Sequence, residues 1–449
     1  MFKRYLYFNY RAFSALKFWL RRRVTAAGWL VLGATLAAAA LGVDTNVSLA
    51  YQTFTLLFFL MLASVFLALG PGGKNISVER ILPRFGSVGE PLFYTILLRN
   101  NSGKTQRSLN LFEEMADPRP SFEEFSRAPE MDREERTVLD RAYRFDWWNR
   151  LSSRQTYARI EGQLLPDLPA GREQIFRAEL MPLRRGVMRL TGVALASPDP
   201  FGLFRSLRRL PAAQSVLILP KRYSMPPFAL PGAMKFQQGG VSMASSIGES
   251  EEFVALREYR PGDPLRRIHW KSFAKIGKPI VKEFQEEFFV RHALVLDTFS
   301  PQTNSEIFEE AVSVAASIAY GIRDEDSLLD LMFVGPQAFC FTSGRGVAHT
   351  EQMLEILASV QTCRDKDFSS LEHLVLEHSA QISGCICVFL EWDEPRKTFV
   401  QSLKAQNIPV SVFVVTSSKD SLALGPMADE PQHFHTLPLG KVAEELALL

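Results

Sequence analysis

Two apolar runs near the start of the chain constrain its fold more than any other feature. The runs Val24–Val43 and Tyr51–Gly70 each hold 20 residues without a charged side chain, and only the seven residues "DTNVSLA" separate them. About 20 apolar residues are the length at which a helix crosses the hydrocarbon core of a bilayer. A cleavable signal peptide does not explain a second run directly after the first. The sequence therefore predicts a transmembrane helical hairpin over residues 24–70.

The placement of charge predicts how this hairpin is oriented. Residues 1–23 contain seven Lys and Arg residues and no Asp or Glu, whereas the connection between the two runs contains no Lys or Arg. Basic segments stay on the cytoplasmic side, so both the N-terminus and everything after residue 70 are predicted to lie in the cytoplasm. A basic segment of this kind is also attracted to anionic lipid. A nucleic-acid-binding arm is the rival interpretation, and the adjoining apolar run disfavours it.

Residues 71–220 have the pattern of short strands divided by Pro and Gly. The segment "LFYTILLRNNSGKTQRSLNLF" places the turn residues "NNSG" between two apolar runs, and "SVLILP" closes the region with another strand. Such spacing is typical of an antiparallel β-sandwich. A charged, helix-prone insertion interrupts it near residues 120–151. Residues 221–250 are rich in Pro, Gly, Ser and Met and are predicted to form a linker.

Residues 251–449 alternate apolar strands with helical patterns. Strands are predicted at "FFVRHALVLD", "LLDLMFVG", "GCICVFLEW" and "PVSVFVV", with helical segments such as "SEIFEEAVSVAASIAYGIRD" between them. Alternation of this kind predicts a largely parallel, Rossmann-like sheet with helices on both faces. Ligands of such sheets gather outside the carboxyl ends of the strands. Two of these ends carry acids, Asp297 after one strand and Asp393 after another.

One dense stretch of polar residues, "EFVALREYRPGDPLRRIHWKSFAKIGKPIVKEF" from Glu252 to Phe284, resembles the signature of the bacterial domain of unknown function 58 family. The resemblance is carried by Glu252, Phe253, Leu256, Arg257, Tyr259, Gly262, Asp263, Arg267, Ile268, Trp270 and Ala274. It extends to "RRG" at Arg184–Gly186 and to "DPFGLF" at Asp199–Phe204, and family members often begin with two membrane spans.

The resemblance implies an architecture and a set of partners, without implying a reaction. It implies a protein of the bacterial inner membrane whose C-terminal domain is similar to the von Willebrand factor A domain. The implied partners are a MoxR-type AAA+ ATPase and a transglutaminase-like membrane protein. Domains of that class bind a divalent cation through an Asp-x-Ser-x-Ser loop. Here the two serine positions hold Phe299 and Pro301, so the loop departs from the pattern.

A degenerate cation site remains the alternative at this strand end. Its ligands would be Asp297, Ser300 and Asp393, with Mg²⁺ as the ion, although a solvated strand end is favoured and no cofactor is predicted. The chain has no Gly-rich phosphate loop and no Gly-x-Ser-x-Gly elbow. His269 is the one candidate base in the signature stretch, and no nucleophile accompanies it in sequence. We therefore predict no catalytic residue.

Local chemistry divides the signature stretch into structural and exposed parts. The turn "RPGDP" favours a helix that begins near Asp263 or Pro264 and buries Trp270 on one face. The structural residues would be Arg257, Tyr259, Gly262, Asp263, Arg267 and Trp270. The second face, with Arg267, Lys271 and Lys275, is predicted to dock a partner.

Two functions follow from these features. The first is a non-enzymatic, membrane-anchored scaffold or adaptor that docks a MoxR-type AAA+ ATPase in envelope-related assembly or complex maturation. The alternative is a cation-dependent ligand binder or hydrolase at Asp297 and Asp393. Nucleic-acid binding is disfavoured because acids such as Glu251, Glu252 and Glu283 flank the basic residues of the signature stretch.

Overall fold

The computed structural model describes twelve stretches of the chain: residues 2–41, 48–69, 75–126, 145–226, 252–263, 265, 268–285, 290–301, 305–322, 327–343, 347–417 and 422–449. They form two compact units. The first comprises Met1–Arg222 with Leu354–Val360, and the second comprises Tyr223–Met353 with Gln361–Leu449. Residues 227–251, which include most of the predicted linker, lie outside the described residues.

The first unit opens with three helices, α1 (Phe2–Arg23), α2 (Ala26–Leu41) and α3 (Ser48–Ala68). In α3 the 20 residues Leu49–Ala68 are long and apolar enough to cross a membrane, whereas α2 has 16 residues and is shorter than a typical span. The two helices pack together, with the Thr35 hydroxyl 3.8 Å from the Met61 sulfur. Among the described residues one helix, α3, therefore meets the length of a span, and the second predicted span stays a prediction.

In the part of this unit that the structure describes, nine strands and two helices follow. In chain order they are β1 (Ile76–Ile81), β2 (Phe85–Ser87), β3 (Leu92–Asn100), β4 (Asn110–Met115), α4 (Phe122–Ser126), α5 (Phe145–Gln155), β5 (Ala158–Arg159), β6 (Gln163–Leu164), β7 (Glu173–Pro182), β8 (Gly186–Pro198) and β9 (Arg205–Leu219). One sheet has the order β1-β3-β7-β5 and the other β2-β9-β8-β4-β6. All pairs are antiparallel except β2 with β9.

The two sheets share one apolar core and so form a sandwich. Alternate side chains of β3 such as Ile96 and Leu98 are fully buried against Met188 of β8 and Ile218 of β9. One buried ion pair lies among these apolar residues. The guanidinium of Arg80 donates to Glu113 at 2.6 Å, and the Tyr94 hydroxyl donates to the same carboxylate at 2.7 Å.

The loop between β8 and β9 holds the base of the helical hairpin against the sandwich. The Ser64 hydroxyl of α3 donates to the buried Asp199 carboxylate at 2.5 Å, and the Thr25 backbone N–H donates to the Leu203 carbonyl at 3.0 Å. A Cβ atom at Gly28 would lie 2.2 Å from that same carbonyl oxygen, so the approach requires glycine. The "DPFGLF" segment therefore has a structural role within the first unit.

The second unit contains eight strands and six helices among the described residues, and the last six residues of one of these helices, α8, belong to the first unit. They are β10 (Glu252–Glu258), α6 (Trp270–Ile276), β11 (Ile280–Gln285), β12 (Val290–Leu296), α7 (Glu306–Gly321), β13 (Ser327–Val334), β14 (Ala338–Ser343), α8 (Val347–Ser359), α9 (Ser369–His378), β15 (Gly384–Phe389), α10 (Glu394–Ala405), β16 (Val410–Thr416), β17 (Phe434–Pro438) and α11 (Val442–Ala447). Strands β10 and β11 pair with each other as a separate antiparallel ribbon.

The remaining six strands form a mixed sheet of order β14-β13-β12-β15-β16-β17. Every pair is parallel except the edge pair β13 and β14. Side chains on one face, such as Cys387 and Val412, pack in a core with Leu371 of α9 and Phe399 of α10. Helix α7 contacts β12, β15 and β16 instead. The predicted, largely parallel α/β sheet is therefore present.

Candidate functional site

The order of the six-stranded sheet defines one place where a ligand would be expected. The chain leaves β12 toward β13 on one side, and the other neighbour of β12 is β15, so the strand order switches between them. Doubly wound sheets bind ligands at this switch, outside the carboxyl ends of the strands. Asp297 directly follows β12, and Asp393 precedes α10 shortly after β15. The predicted acids therefore do lie at the switch.

A residue that the sequence analysis missed, Arg396, joins the two acids. Its Nε and Nη2 atoms each lie 2.7 Å from Oδ2 of Asp297, and its Nη1 atom donates to Oδ2 of Asp393 at 2.7 Å. The Arg396 side chain is 6% exposed and Asp297 is fully buried. We call Asp297, Asp393 and Arg396 the strand-end cluster.

Backbone donors complete the hydrogen bonding of Asp297. The N–H groups of Phe299 and Leu390 donate to its two carboxylate oxygens at 3.0 and 3.2 Å. Burial raises the pKa of the Asp297 carboxyl, while the Arg396 guanidinium and these N–H donors oppose the rise. The carboxylate is thus fully occupied by partners from the protein itself.

The strand-end cluster does not fit a divalent cation as it is folded. A cation at this place needs the carboxylate oxygens of Asp297 and Asp393, and Arg396 already holds both. Ser300, the third predicted ligand, lies half-buried one residue past the β-bridge between Phe299 and Cys363. Among the described residues no group of three or more His, Cys, Asp or Glu side chains could hold a metal.

The second candidate site is the stretch that carries the sequence signature. Strands β10 and β11 form an antiparallel ribbon that continues through the pairs Leu256 with Lys282 and Glu258 with Ile280. A turn and helix α6 connect the two strands. We call residues 252–285 the signature hairpin, of which 264, 266 and 267 lie outside the described residues.

One ion pair fixes the turn of the signature hairpin. Both Nη atoms of Arg257 donate to the Asp263 carboxylate, at 2.7 and 2.8 Å, and the Arg260 backbone N–H donates to it at 2.8 Å. The Arg257 guanidinium, followed by the Arg260 N–H, lowers the pKa of Asp263 to about 2. Gly262, with a φ of 109°, adopts a conformation that favours glycine. Tyr259 joins the ends of the turn, since its N–H donates to the Pro279 carbonyl at 2.9 Å.

Helix α6 differs from the helix that the sequence predicts. It begins at Trp270 instead of near Asp263, and it ends at Ile276, followed by the C-cap Gly277, whose φ is 77°. The reason is that Ile268 bridges Val281 and the His269 N–H donates to the Ile280 carbonyl, which ties these two residues to β11 and leaves Trp270 as the first residue of α6. The prediction that this helix buries Trp270 is also wrong, because Trp270 is 64% exposed.

The exposed surface of the signature hairpin combines apolar and basic side chains. Its large exposed apolar residues are Leu256, Leu265, Trp270, Phe273 and Ile276. Trp270 and Phe273 contact each other edge to face at 6.0 Å. Lys271 and Lys275 are exposed beside them, whereas Arg267, the third predicted docking residue, lies outside the described residues.

His269 has a local partner in this helix. Its Nδ1 atom lies 2.7 Å from the Ser272 hydroxyl, a pair that sequence spacing did not suggest. Both residues lie at the start of α6 and are half-buried. A hydroxyl and an imidazole in contact are two parts of a nucleophilic site, but such a site also needs a group that orients the imidazole. The described contacts of the His269 side chain supply none.

Comparisons with known proteins agree with the signature. The family described as "Protein of unknown function DUF58" matches residues 255–390. "Uncharacterized protein YeaD" of Bacillus subtilis is 29% identical over 182 residues, which are 40% of this chain and 44% of that protein. The chain therefore matches less than half the length of this relative.

Two solved structures were also aligned, each at 12% identity. A CARDB domain from Pyrococcus furiosus in complex with di-metal ions covers 32% of this chain and 88% of its own, with a TM-score of 0.18. A beta-glucosidase from Listeria innocua in complex with gluconolactone covers 34% of this chain and 17% of its own, with a TM-score of 0.17. Scores this low do not indicate a shared fold. The family match covers residues 255–390, which hold most of the signature hairpin and strands β12 to β15, so this part of the chain is similar to the DUF58 family.

Proposed function

We propose that the protein is a membrane-anchored adaptor that presents its signature hairpin to a protein partner on the cytoplasmic side of a bacterial inner membrane. The observation that carries this proposal is the exposed surface of Trp270, Lys271 and Lys275 on a locally fixed hairpin. An exposed aromatic side chain beside cations is typical of the residues that dominate binding energy in protein interfaces.

The anchoring part of the proposal rests on the helical hairpin. We propose that α2 and α3 both enter the bilayer, with the N-terminus and both units' remaining parts in the cytoplasm. The apolar, charge-free sequence of residues 24–43 and 51–70 and the basic residues 1–23 support this topology. The length of α3 supports one span directly.

The C-terminal unit is proposed to be similar to a von Willebrand factor A domain. The strand order with one antiparallel edge strand supports this class of doubly wound sheet. In this proposal Arg396 replaces the cation that such domains hold at the strand end, since its guanidinium binds both acids. The partner would then be bound through the signature hairpin and not through a metal.

The identity of the partner rests on the family resemblance. A MoxR-type AAA+ ATPase is the proposed partner, and a transglutaminase-like membrane protein is the second protein expected in the same assembly. An adaptor of this kind would act in envelope-related assembly or complex maturation. The proposed docking residues are Lys271 and Lys275, together with Arg267, which follows the turn in sequence.

Binding of the purified full-length protein, in nanodiscs, to the MoxR-type ATPase of the same bacterium tests this function. The Lys271→Glu/Lys275→Glu variant is expected to lose binding. A control variant with the same charge change at exposed lysines outside the hairpin, Lys104→Glu/Lys441→Glu, is expected to bind as the unaltered protein does. Equal binding by all three proteins would contradict the docking surface.

A further inference from the structure

Helix α1 is held to the first unit by one of its faces. Tyr7 and Tyr10 of this helix contact the Trp148 ring at centroid distances of 5.7 and 6.0 Å, and Leu6 is buried in the same cluster as Phe125. Trp147 and Trp148 are therefore core residues that hold α1. Helices α4 and α5 of the sandwich insertion provide this contact.

The opposite face of α1 is apolar and exposed. Tyr5, Phe8, Leu16 and Trp19 follow one another at intervals of three, eight and three residues, which places them on one side of a helix. All four are exposed, and Phe8 is 72% exposed. We call these four residues the outer face of α1. Phe, Tyr, Trp and Leu on one side of a basic helix are typical of helices that lie in a membrane interface.

Arg4 and Arg11, four residues before and three residues after Phe8, are exposed along one edge of the outer face, and the helix contains no acid. Helix α1 contains Lys3, Arg4, Arg11, Lys17, Arg21, Arg22 and Arg23 and no Asp or Glu. Lys3, Lys17 and Arg21 are exposed on the other side of the helix, and no carboxylate in the described part of the chain forms an ion pair with them. Juxtamembrane Lys and Arg residues attract anionic lipid in this arrangement.

The end of α1 lies where the helical hairpin begins. Helix α1 ends at Arg23 and α2 begins at Ala26, with a β-bridge between Val24 and Phe204 in the connection. Helices α1 and α3 both contact β9. The outer face of α1 is thus continuous in sequence with the apolar helix that is proposed to enter the bilayer.

A basic cavity of about 270 Å³ lies at this end of α1. Arg21, Arg22, Arg205 and Glu161 contribute its charged groups. Arg22 is paired with Glu114 at 3.2 Å, whereas Arg205 forms no ion pair with any described carboxylate. Burial lowers the pKa of the Arg205 guanidinium, as expected for a half-buried cation without a counter-ion.

We infer that α1 lies in the plane of an anionic bilayer surface, with its outer face in the lipid and the headgroup phosphate of an anionic phospholipid in the cavity beside Arg21 and Arg205. The inference rests on the proposed anchoring of α2 and α3. It adds a lipid-binding surface to the basic segment, so that the first unit is held against the membrane and not merely tethered to it.

Spin labels on the full-length protein in bilayers of phosphatidylglycerol and phosphatidylethanolamine test the position of α1. Labels are placed at Phe8→Cys in α1, Leu56→Cys in α3 and Val187→Cys in the sandwich, in a Cys340→Ser background because Cys340 is the one cysteine that is not buried. Accessibility to oxygen reports lipid, and accessibility to a water-soluble nickel chelate reports water. We expect the labels at positions 8 and 56 to be accessible to oxygen, as in lipid, and the label at position 187 to be accessible to the nickel chelate, as in water.

The three labels separate failure of this inference from failure of the anchoring. If the label at position 8 is accessible to the nickel chelate and the label at position 56 is accessible to oxygen, the proposed position of α1 is wrong and the membrane anchor stands. If the label at position 56 is accessible to the nickel chelate, both the membrane anchor and the position of α1 are wrong. Protection of Phe8 from both reagents would mean that protein covers the outer face, which would also overturn the inference.

Retention of phosphatidylglycerol through detergent washing, measured by mass spectrometry, tests the cavity. One membrane-facing cation contributes about 1 kcal/mol, so Arg205→Gln is expected to lower the retained anionic lipid about fivefold. The control Arg189→Gln removes an exposed arginine on β8, the strand that pairs with the strand of Arg205, and is expected to change nothing. Equal retention by both variants would overturn the headgroup site.

Discussion

Two Arg–carboxylate clusters of the second unit use the same chemistry in opposite surroundings. In the strand-end cluster Arg396 and Asp297 are buried, and the guanidinium also holds Asp393. In the signature hairpin Arg257 and Asp263 form a bidentate pair at the surface. The first occupies the place where a sheet of this order binds ligands, and the second shapes a turn beside exposed Trp270.

This difference in burial indicates which polar residues are available to bind a partner. In the buried pair Arg396 and two backbone N–H groups already bind the Asp297 carboxylate, so the pair joins β12 to the residues that follow β15 and to α10. The surface pair costs little to form and leaves the neighbouring aromatic and lysine side chains exposed. The proposed function is therefore placed at the signature hairpin, although the strand end is the more usual position for a ligand.

The largest expected effect is the loss of stability on replacing Arg396. Arg396→Met leaves the Asp297 carboxylate buried without its counter-ion, which costs about 3–5 kcal/mol. Hydrogen exchange of the β12 and β15 amides is expected to accelerate accordingly. The neighbour Lys397, whose partner Glu394 is exposed, provides the control, and Lys397→Met is expected to stay within about 0.5 kcal/mol.

A second variant sharpens this prediction. Asp297→Asn/Arg396→Met removes both charges while the amide oxygen of Asn still accepts the Phe299 or Leu390 N–H group. It is expected to recover much of the lost protection, because the cost arises from an unpaired buried charge. Exchange rates in Arg396→Met equal to those of Lys397→Met would contradict the structural role of the cluster.

Trp270 is expected to show the second largest effect, on binding instead of stability. Trp270→Ala removes an exposed anchor and is expected to weaken partner binding by about 2 kcal/mol or more, which is roughly 30-fold. Its melting temperature is expected to stay near that of the unaltered protein because the side chain is largely exposed. Leu448→Ala, another exposed apolar truncation, serves as the control in the same titration. Similar affinities for the two variants would place the interface elsewhere.

The lysines are expected to act mainly through electrostatics. Lys271→Ala/Lys275→Ala should weaken binding by about 1–2 kcal/mol at low salt, with a smaller difference at high salt, since exposed charges are screened. Measuring the association rate from low to high ionic strength checks this expectation. A salt-independent difference would show that the lysine stems, and not their charges, contribute to the contact.

The smallest effect is expected from the surface ion pair itself. Because Arg257 lowers the pKa of Asp263 to about 2, the stabilisation from this pair is complete above the ordinary carboxyl pKa near 3.8. It is lost as the pH falls from about 4 through about 2. The Asp263 carboxyl resonance, followed by NMR across that range, is expected to titrate below pH 3. A midpoint near 3.8 would mean that the pair does not persist in solution.

Much of this architecture follows from local sequence patterns. The apolar runs of β12, β15 and β16, alternating with helical segments, predict the sheet, and the turn residues Gly262 and Asp263 predict the turn that the structure contains. Patterns of this kind act over a few residues, so a single sequence carries them directly. In α1 the local pattern shows only that the segment is basic. Its exposed aromatic face becomes visible once these residues are arranged on a helix.

Other features depend on contacts between distant residues and could not be predicted. Arg396 lies 99 positions after Asp297 and reads as an ordinary first-turn residue behind the N-cap Asp393. Likewise, α6 begins only after the bridge that Ile268 forms with Val281, and Trp270 at its start is exposed. In both cases tertiary pairing overrides a reasonable local preference.

Site-specific photo-crosslinking in living cells tests the central claim most directly. A photoreactive amino acid is placed either at Trp270 on the signature hairpin or at Glu391, an exposed residue at the strand end. We expect a crosslink to an AAA+ ATPase from position 270 and none from position 391. A crosslink from position 391 with none from position 270 would contradict it.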